Sequence, residues 1–307
     1  MTFLLEHPLS LLTLALLLSL LQPADKLQPL LTQGLTRLGR RLNKSGYSRG
    51  YLKAAGMGLW LVVLLPLLAA WWAIAELAPW PELLDVLLLW ACLDAGRISR
   101  RLPQTLKQIA EQRNLARLTL APLCLRQTDA LSELGLRKAA AEVAVLRLAG
   151  DFALACWYLA GGIFAALTFA LLRLAVQAWP CKLNNWRAFG TLPSALYRAM
   201  AWLPFHMLAL TLLIYPGSRR AVRGWAKGSL WGFAAAGRLL AVAAAGVNAG
   251  LGGPRRYTQA TEYYPKLGSG NQLRSDQARG LLLRLALALL FWLSIGWTLT
   301  LVPLLYD

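Results

Sequence analysis

Two glycines, two arginines and a tyrosine stand together in a short polar segment between apolar stretches of this 307-residue chain. They are Gly252, Gly253, Arg255, Arg256 and Tyr257, within the segment NAGLGGPRRYTQ of residues 248–259. Glycine lets backbone N–H groups approach an anion closely, and arginine is suited to binding phosphate. The segment is therefore typical either of a phosphate-binding loop or of a basic cytoplasmic turn in a membrane protein.

The composition predicts which class of protein contains this segment. Hydrophobic residues make up 57% of the chain and charged residues 15%, and the mean hydropathy is +0.48. These values and the long apolar runs are typical of a polytopic membrane protein. The formal net charge is +18, but the basic residues are spread between the apolar runs, which favours cytoplasmic loops over nucleic-acid binding. We therefore expect the lipid bilayer as a partner, and no nucleic acid.

The apolar runs predict an all-α fold, a polytopic helical integral membrane protein with about five to six transmembrane helices in one membrane domain over residues 1–307. The predicted spans are residues 8–21, 54–77, 83–96, 151–176, 199–215 and 281–303. Residues 97–149 mix charges with leucines at helical spacing, such as Leu102, Leu106, Leu115 and Leu118, which predicts amphipathic cytoplasmic helices. For residues 229–250, a span, a re-entrant helix and a packed helix all remain open.

The segment LGGPRRY, residues 251–257, resembles the LGGPxxYFG loop of the CbiB/CobD family, whose members are membrane proteins of cobalamin biosynthesis. Further segments resemble the family's pattern in the same order along the chain: AGRISRRL (95–102), LRQTDALSELGLRKAAAE (125–142), WYLAGG (157–162), WRAFG (186–190) and WLPFHMLAL (202–210). The resemblance covers residues from about 95 to 285. The first two predicted spans match the family only in hydropathy.

The resemblance implies the activity of an adenosylcobinamide-phosphate synthase, which uses ATP and Mg²⁺ to join adenosylcobyric acid to aminopropanol phosphate through an amide bond. It implies that Glu142 is catalytic and that Glu142 and Asp151 bind the metal, since Mg²⁺ prefers oxygen ligands. The residues it implies for binding substrate or phosphate are Arg126, Gly252, Gly253, Arg255, Arg256 and Tyr257. The expected partner is a corrinoid or another anionic ligand, and the expected location is the bacterial inner membrane.

Several acidic and amide positions of the family's pattern hold other residues in this chain. Gln127 stands in place of an acid, and Leu146 and Arg147 stand in place of a glutamate and an asparagine. These departures favour a second hypothesis, a non-catalytic binding or regulatory protein like the AmpE inner-membrane proteins, which the family also resembles. A transporter is a third hypothesis, but no internal repeat of the kind found in many transporters supports it.

The candidate residues also have structural alternatives. Glu142 has neighbouring cations, such as Arg137 and Lys138, with which it could simply pair. Asp151 lies at the edge of a predicted span, where its charge is solvated. His206 lies inside an apolar span, where a hydrogen bond between helices is a more frequent role than general-base catalysis. A structure is needed to decide between these roles.

Overall fold

The computed structural model describes residues 7–215, 218–257, 261–269 and 271–302. These residues form eleven α-helices, a short 3₁₀ turn at Ala121–Leu123 and one β-hairpin. In chain order the elements are α1 (Pro8–Leu21), α2 (Leu27–Leu42), α3 (Arg49–Leu77), α4 (Pro81–Cys92), α5 (Ala95–Glu111), α6 (Arg113–Leu120), α7 (Glu133–Ala178), α8 (Thr191–Leu213), α9 (Ser218–Gly228), α10 (Ala234–Gly246), β1 (Gly250–Arg256), β2 (Thr261–Gly268) and α11 (Ser275–Leu301). The structure is thus mainly helical, as the sequence predicts, and the hairpin is its exception.

Within the described ranges, four helices are long and apolar enough to cross a membrane, judged by length and composition. They are α3, α7, α8 and α11, with 29, 46, 23 and 27 residues, and each exceeds the roughly 20 residues that a bilayer crossing needs. The predicted spans 54–77, 151–176, 199–215 and 281–303 overlap these helices, although residue 303 lies outside the described part of the chain. In α3 only 11% of the most apolar window is buried within the protein, so its apolar side chains mostly face outward.

The predicted spans 8–21 and 83–96 fall on shorter helices. α1 has 14 residues and α4 has 12, so they extend about 21 and 18 Å at 1.5 Å per residue, whereas the hydrocarbon core is about 30 Å thick. Residues 83–96 are not one continuous helix, because α4 ends at Cys92 and α5 begins at Ala95. The number of membrane crossings therefore stays a prediction.

Most of the segment 97–149 is helical, but its apolar spacing predicts the buried face correctly only in part. In α5, Leu102 and Leu106 are buried as expected. In α6, Leu115 and Leu118 are 42% and 70% exposed, and Leu120 is buried instead. The chain leaves helical geometry at Gln112, where φ is −143°, so the helical phase of α5 does not continue into α6.

Residues 229–250 contain a packed helix, one of the three alternatives that the sequence leaves open. Within them α10 has 13 residues, ten of which are buried, among them Leu239 and Leu240. The helix ends at Gly246, and β1 begins at Gly250. Small alanine side chains on several faces allow neighbouring elements to approach closely, which explains why a segment of this composition is packed on all sides.

Most of the glycine loop predicted at residues 251–257 is a strand of a hairpin, since β1 ends at Arg256. β1 pairs antiparallel with β2, with Gly250 opposite Gly268 and Arg255 opposite Glu262. The register shifts between Gly252 and Pro254, and Gly253 there has a φ of 100°. Such a bulge bends the strand and redirects its side chains, and a positive φ of this kind favours glycine.

The chain groups into two compact units, each made of two separate stretches of sequence. The first contains residues 1–97 and 153–201, and the second contains residues 98–152 and 202–307. The first unit has a core that includes Trp60, Trp179 and Phe189. The second contains the hairpin and α10. The boundaries fall inside α5, α7 and α8, so no linker marks them in the sequence, and the single membrane domain predicted from it stays a prediction.

Candidate functional site

Glu142, near the start of α7, is a buried carboxylate that accepts three hydrogen bonds. Its Oε2 accepts one from Nη2 of Arg126 and one from Nη2 of Arg255, each at 2.8 Å. Its Oε1 accepts a third from the backbone N–H of Gly252 at 2.7 Å. Glu142 is only 2% exposed, so these charge-assisted bonds replace the water that would otherwise solvate it. We call Arg126, Glu142, Gly252 and Arg255 the Glu142 cluster.

The local backbone brings the members of the cluster together from distant parts of the sequence. The N–H of Gln127 donates to the carbonyl oxygen of Arg256 at 2.9 Å, which ties the segment of Arg126 to β1. Gly252 has a φ of 75°, and a Cβ at this position would lie 2.3 Å from the carbonyl oxygen of Pro265. Glycine is therefore required here both by conformation and by space.

Arg255 lies beside two aromatic rings that also contact each other. Its Cζ lies 4.5 Å from the ring centre of Trp231 and 4.7 Å from that of Tyr264, which is a geometry for cation–π attraction. Burial acts to lower the pKa of the guanidinium, but Glu142, Tyr257 and Tyr264 together outweigh it, so the pKa lies above its usual range. The buried Nε of Arg255 has no hydrogen-bond partner among the described residues. This atom is a donor still available to an acceptor.

Further charges surround the cluster and leave it with a positive excess. Lys138 lies one helical turn before Glu142 and interacts electrostatically with Glu142, Arg126 and Lys266. Lys266 stands opposite Gly252 in the hairpin. Glu262, opposite Arg255, accepts a hydrogen bond from the Tyr264 hydroxyl at 2.7 Å. Four cations thus face two carboxylates, and an anionic ligand would balance the difference.

The structure brings some of the predicted site residues together and separates others. Arg126, Glu142, Gly252 and Arg255 meet, and Tyr257 is buried and lies close enough to raise the pKa of Arg255. Gly253 forms the bulge. The side chain of Arg256 is exposed, because neighbouring residues of a strand point to opposite faces. Only the backbone carbonyl of Arg256 contributes to the arrangement.

Asp151 does not join Glu142, although the resemblance implies that both bind magnesium. The two residues are nine positions apart on the regular part of α7, which separates them by about 14 Å along the axis and places them on opposite faces. One Mg²⁺ ion, with ligands at about 2.1 Å, cannot contact both side chains. The shared site is therefore corrected to two separate buried acids.

The residues around Glu142 also do not fit a magnesium ion. Both carboxylate oxygens already accept hydrogen bonds, and two guanidinium groups lie within 2.8 Å of one of them. A divalent cation here would be repelled by both arginines. Across the described ranges, no group of three or more His, Cys, Asp or Glu residues could hold a metal ion. We therefore assign no chemical step to magnesium at this cluster.

Four side chains that complete the site were not predicted from the sequence as site residues: Lys138, Trp231, Tyr264 and Lys266. Lys138 could have been found, because it stands four residues before Glu142 and shares its helix face. Tyr264 and Lys266 stand two positions apart in TEYYPKLG, the sequence of β2. This spacing indicates that they share one face of a strand, but only once the segment is known to pair with β1. Nothing in the sequence near Trp231 indicates that it would stack on Arg255.

A second buried ionic group, also missed, lies in the first unit. The carboxylate of Asp94 is completely buried and lies 3.2 Å from Nη1 of Arg97 and 3.3 Å from Nη2 of Arg173. Nε of Arg97 also lies 3.4 Å from Asp25, and the Gln28 amide joins through its Oε1, which accepts from Nη1 of Arg97 at 3.4 Å. Because these charges compensate one another, we interpret this ionic group as a structural connection between α2, α4, α5 and α7. We call Asp25, Asp94, Arg97 and Arg173 the Asp94 cluster.

His206 makes the hydrogen bond between helices that the sequence analysis considered for it. Nη1 of Arg238, on α10, lies 2.9 Å from Nε2 of His206, and the carbonyl of Trp202 lies 2.7 Å from Nδ1. Arginine only donates, so Nε2 is the acceptor and Nδ1 carries the proton. His206 thus connects α8 with α10 and has no free ring nitrogen to act as a base.

The thiol of Cys124 offers a test of the environment around the cluster. Burial raises the pKa of Cys124, although the charge of Arg126 acts in the opposite direction. The thiolate, which is the reactive form, is therefore expected only at a higher pH than for an unburied thiol. In a variant with Cys92, Cys156 and Cys181 replaced by serine, the rate of iodoacetamide labelling should rise at a higher pH than for N-acetylcysteine. A midpoint equal to or below that of N-acetylcysteine would contradict the half-buried placement of Cys124.

Comparison with known proteins supports the family that the motifs resemble. The model of the family "CobD/Cbib protein" matches residues 12–301. The cobalamin biosynthesis protein CobD of Stutzerimonas stutzeri is 27% identical over 302 residues, 96% of each chain. That of Chromobacterium violaceum is 27% identical over 271 residues, 84% of this chain and 86% of the relative. No solved structure matches the chain. Since the family model covers nearly its whole length, this chain belongs to the CobD/Cbib family of cobalamin biosynthesis proteins.

Proposed function

We propose that this protein acts at the amide-forming step of cobalamin biosynthesis and binds a phosphate-bearing substrate at the Glu142 cluster. The observation on which the proposal depends is the buried Nε–H of Arg255, which has no acceptor among the described residues. It lies in a site where four cations face two carboxylates. An aminopropanol phosphate, with its dianionic head, has the charge and the acceptor oxygens that such a site lacks.

In this proposal some residues of the site bind the phosphate, and others position the side chains that bind it. Arg255, Lys138 and Lys266 bind the phosphate, and contacts with the rings of Trp231 and Tyr264 restrict the motion of the Arg255 guanidinium. Glu142 positions Arg126 and Arg255, because its oxygens are already engaged in hydrogen bonds and are poorly placed to take a proton from substrate. ATP, the proposed co-substrate, carries phosphates that suit the same cationic surface.

The proposed location is the bacterial inner membrane, with α3, α7, α8 and α11 as crossing helices. It is supported by their length and hydropathy and by the relation to the two CobD proteins. A membrane-bound enzyme of this pathway would present the Glu142 cluster to the cytoplasm, where ATP is available. The basic residues around the cluster agree with that side of the membrane.

A second candidate function is a non-catalytic binding or regulatory role. Two observations favour this role. The carboxylate oxygens of Glu142 already accept three hydrogen bonds, and Asp151 lies far from Glu142. In such a protein the cluster would still bind an anion, but no amide bond would form. Ligand binding and product formation therefore have to be measured separately.

Binding is tested by titrating the purified full-length protein in detergent with aminopropanol phosphate and, in parallel, with aminopropanol, by calorimetry. We expect the phosphorylated compound alone to bind. The double variant Lys138→Gln/Lys266→Gln should weaken binding by about tenfold or more, since each lost charge-assisted hydrogen bond contributes about 1.5 kcal/mol or more. The control Arg223→Gln/Lys227→Gln removes two exposed charges of α9 and should bind like the wild type. Equal binding of both compounds, or an unchanged double variant, would refute the phosphate site.

A further inference from the structure

Helix α2 exposes a stripe of leucines that the rest of the described protein covers only in part. At 100° per residue, Leu27, Leu31, Leu38 and Leu42 fall within about 60° of one another around the helix axis. Their side chains are 37% to 45% exposed, and Leu30 beside them is 65% exposed. The helix buries a different face, which includes Leu35 and Gly39. An apolar stripe of this kind needs a partner that is not water.

The same helix carries a set of basic residues without acidic partners. Residues 26–53 contain seven lysines and arginines and no acid. Three of them, Arg37, Arg40 and Arg41, belong to α2 and are exposed. None of the three forms an ion pair within the part of the chain that the structure describes. A helix with exposed leucines on one face and unpaired arginines beside them is typical of a helix that lies in a membrane interface.

An apolar cavity of about 580 Å³ adjoins this stripe. It lies between α2, α3, α4 and α7, and only Gln28 and Arg173 among its lining residues are polar. Gly34 and Leu38 of α2 line it, and Arg37 and Arg41 follow these two residues by three positions, which makes them neighbours on the helix surface. The volume is within the range of roughly 300–1,000 Å³ that is usual for ligand pockets.

We propose that α2 binds one anionic phospholipid from the surrounding bilayer. One of its acyl chains occupies the cavity beside Gly34 and Leu38, and its phosphate lies against Arg37 and Arg41, while Arg40 adds positive charge to the same turn of the helix. The charge of the arginines selects an anionic headgroup over a zwitterionic one. The apolar lining selects a lipid chain over a soluble phosphate. The site belongs to the first unit and is independent of the Glu142 cluster.

The test is native mass spectrometry of the full-length protein in detergent, titrated with phosphatidylglycerol or with phosphatidylcholine of the same chains. We expect phosphatidylglycerol to bind at least about tenfold more tightly, given about 1 kcal/mol per basic residue at an anionic surface. Arg37→Gln/Arg40→Gln/Arg41→Gln should remove this preference. The control Arg220→Gln/Arg223→Gln/Lys227→Gln carries the same change of charge on α9 and should keep it. Equal affinity of the wild type for both lipids, or equal loss in the control, would overturn the proposal.

A second pair of variants tests the cavity. A Cβ at Gly34 has no atom within 4 Å, so Gly34→Phe places a ring in the cavity without a backbone clash and should weaken the binding of both lipids several-fold. Gly58 of α3 also has open surroundings but does not line the cavity, so Gly58→Phe should bind like the wild type. Glycerol 3-phosphate, a headgroup without chains, should not displace phosphatidylglycerol at equal concentration. Displacement, or an unaffected Gly34→Phe variant, would show that the cavity holds no chain.

Discussion

Replacing Glu142 by glutamine is expected to lower the free energy of unfolding by about 3–5 kcal/mol, because it leaves buried guanidinium groups without their counter-charge. Arg255 is 8% exposed, and Glu142 lies 2.8 Å from it and from Arg126. Glutamine has nearly the same size, so the loss would come from the charge and from one acceptor. The measurement is unfolding by sodium dodecyl sulfate in mixed micelles, followed by circular dichroism.

The matched control is Glu111→Gln. Glu111 pairs with Lys107 at 4.0 Å, but both side chains are more than half exposed, and such surface pairs contribute about 0.5 kcal/mol or less. We expect this variant to unfold almost like the wild type. If Glu142→Gln were equally mild, the carboxylate would not hold the two arginines in the way that the structure shows, and its role as a positioning residue would have to be abandoned.

Replacing Asp94 by asparagine is the second large effect that we expect, about 3 kcal/mol or more of destabilisation. Asp94 is completely buried between Arg97 and Arg173. Asp25 compensates Arg97 in part, whereas Arg173 would lose the carboxylate charge of Asp94 and keep its bond to the carbonyl of Cys92. The same unfolding assay measures the change.

Asp276→Asn provides the comparison for Asp94, since Asp276 forms an exposed pair with Arg274 and its replacement should not change stability measurably. Ligand titration adds a second readout. The partners named for Asp94 all belong to the first unit, so Asp94→Asn should bind aminopropanol phosphate like the wild type at temperatures where it remains folded. A loss of binding that is larger than the loss of folded protein would contradict a purely structural role for the Asp94 cluster.

The sequence could predict the members of the Glu142 cluster because each stands in a recognisable segment. Arg126 and Glu142 belong to one segment, and Gly252 and Arg255 belong to another, so their types and order are visible without a structure. The geometry of these residues cannot be predicted from the sequence. The close approach of Gly252 to Glu142 depends on a bulge in a hairpin, and the second strand of this hairpin has no distinctive motif. Glycines at 252 and 253 indicate an unusual backbone, but they do not distinguish a loop from a bulged strand.

Long apolar runs were predicted more reliably than short ones for a physical reason. A run of 20 or more apolar residues has few alternatives to a long helix, and α3, α7 and α11 follow it. The helices within residues 83–96 and 229–250 are shorter, and their packing depends on neighbouring elements. α4 has 12 residues and is followed by the buried ionic cluster around Asp94, and α10 has 13 residues and is surrounded by other elements. Such tertiary contacts determine which structure a short apolar segment adopts, and local composition does not predict them.

Growth tests the central claim most directly. The protein is expressed in a bacterium that lacks its adenosylcobinamide-phosphate synthase, with membrane expression verified, and cobalamin-dependent growth from cobyric acid is measured. We expect the wild type and Arg223→Gln/Lys227→Gln to restore growth, and Lys138→Gln/Lys266→Gln to restore it poorly. Absence of growth with the wild type would contradict the assignment to the amide-forming step and leave the binding or regulatory role.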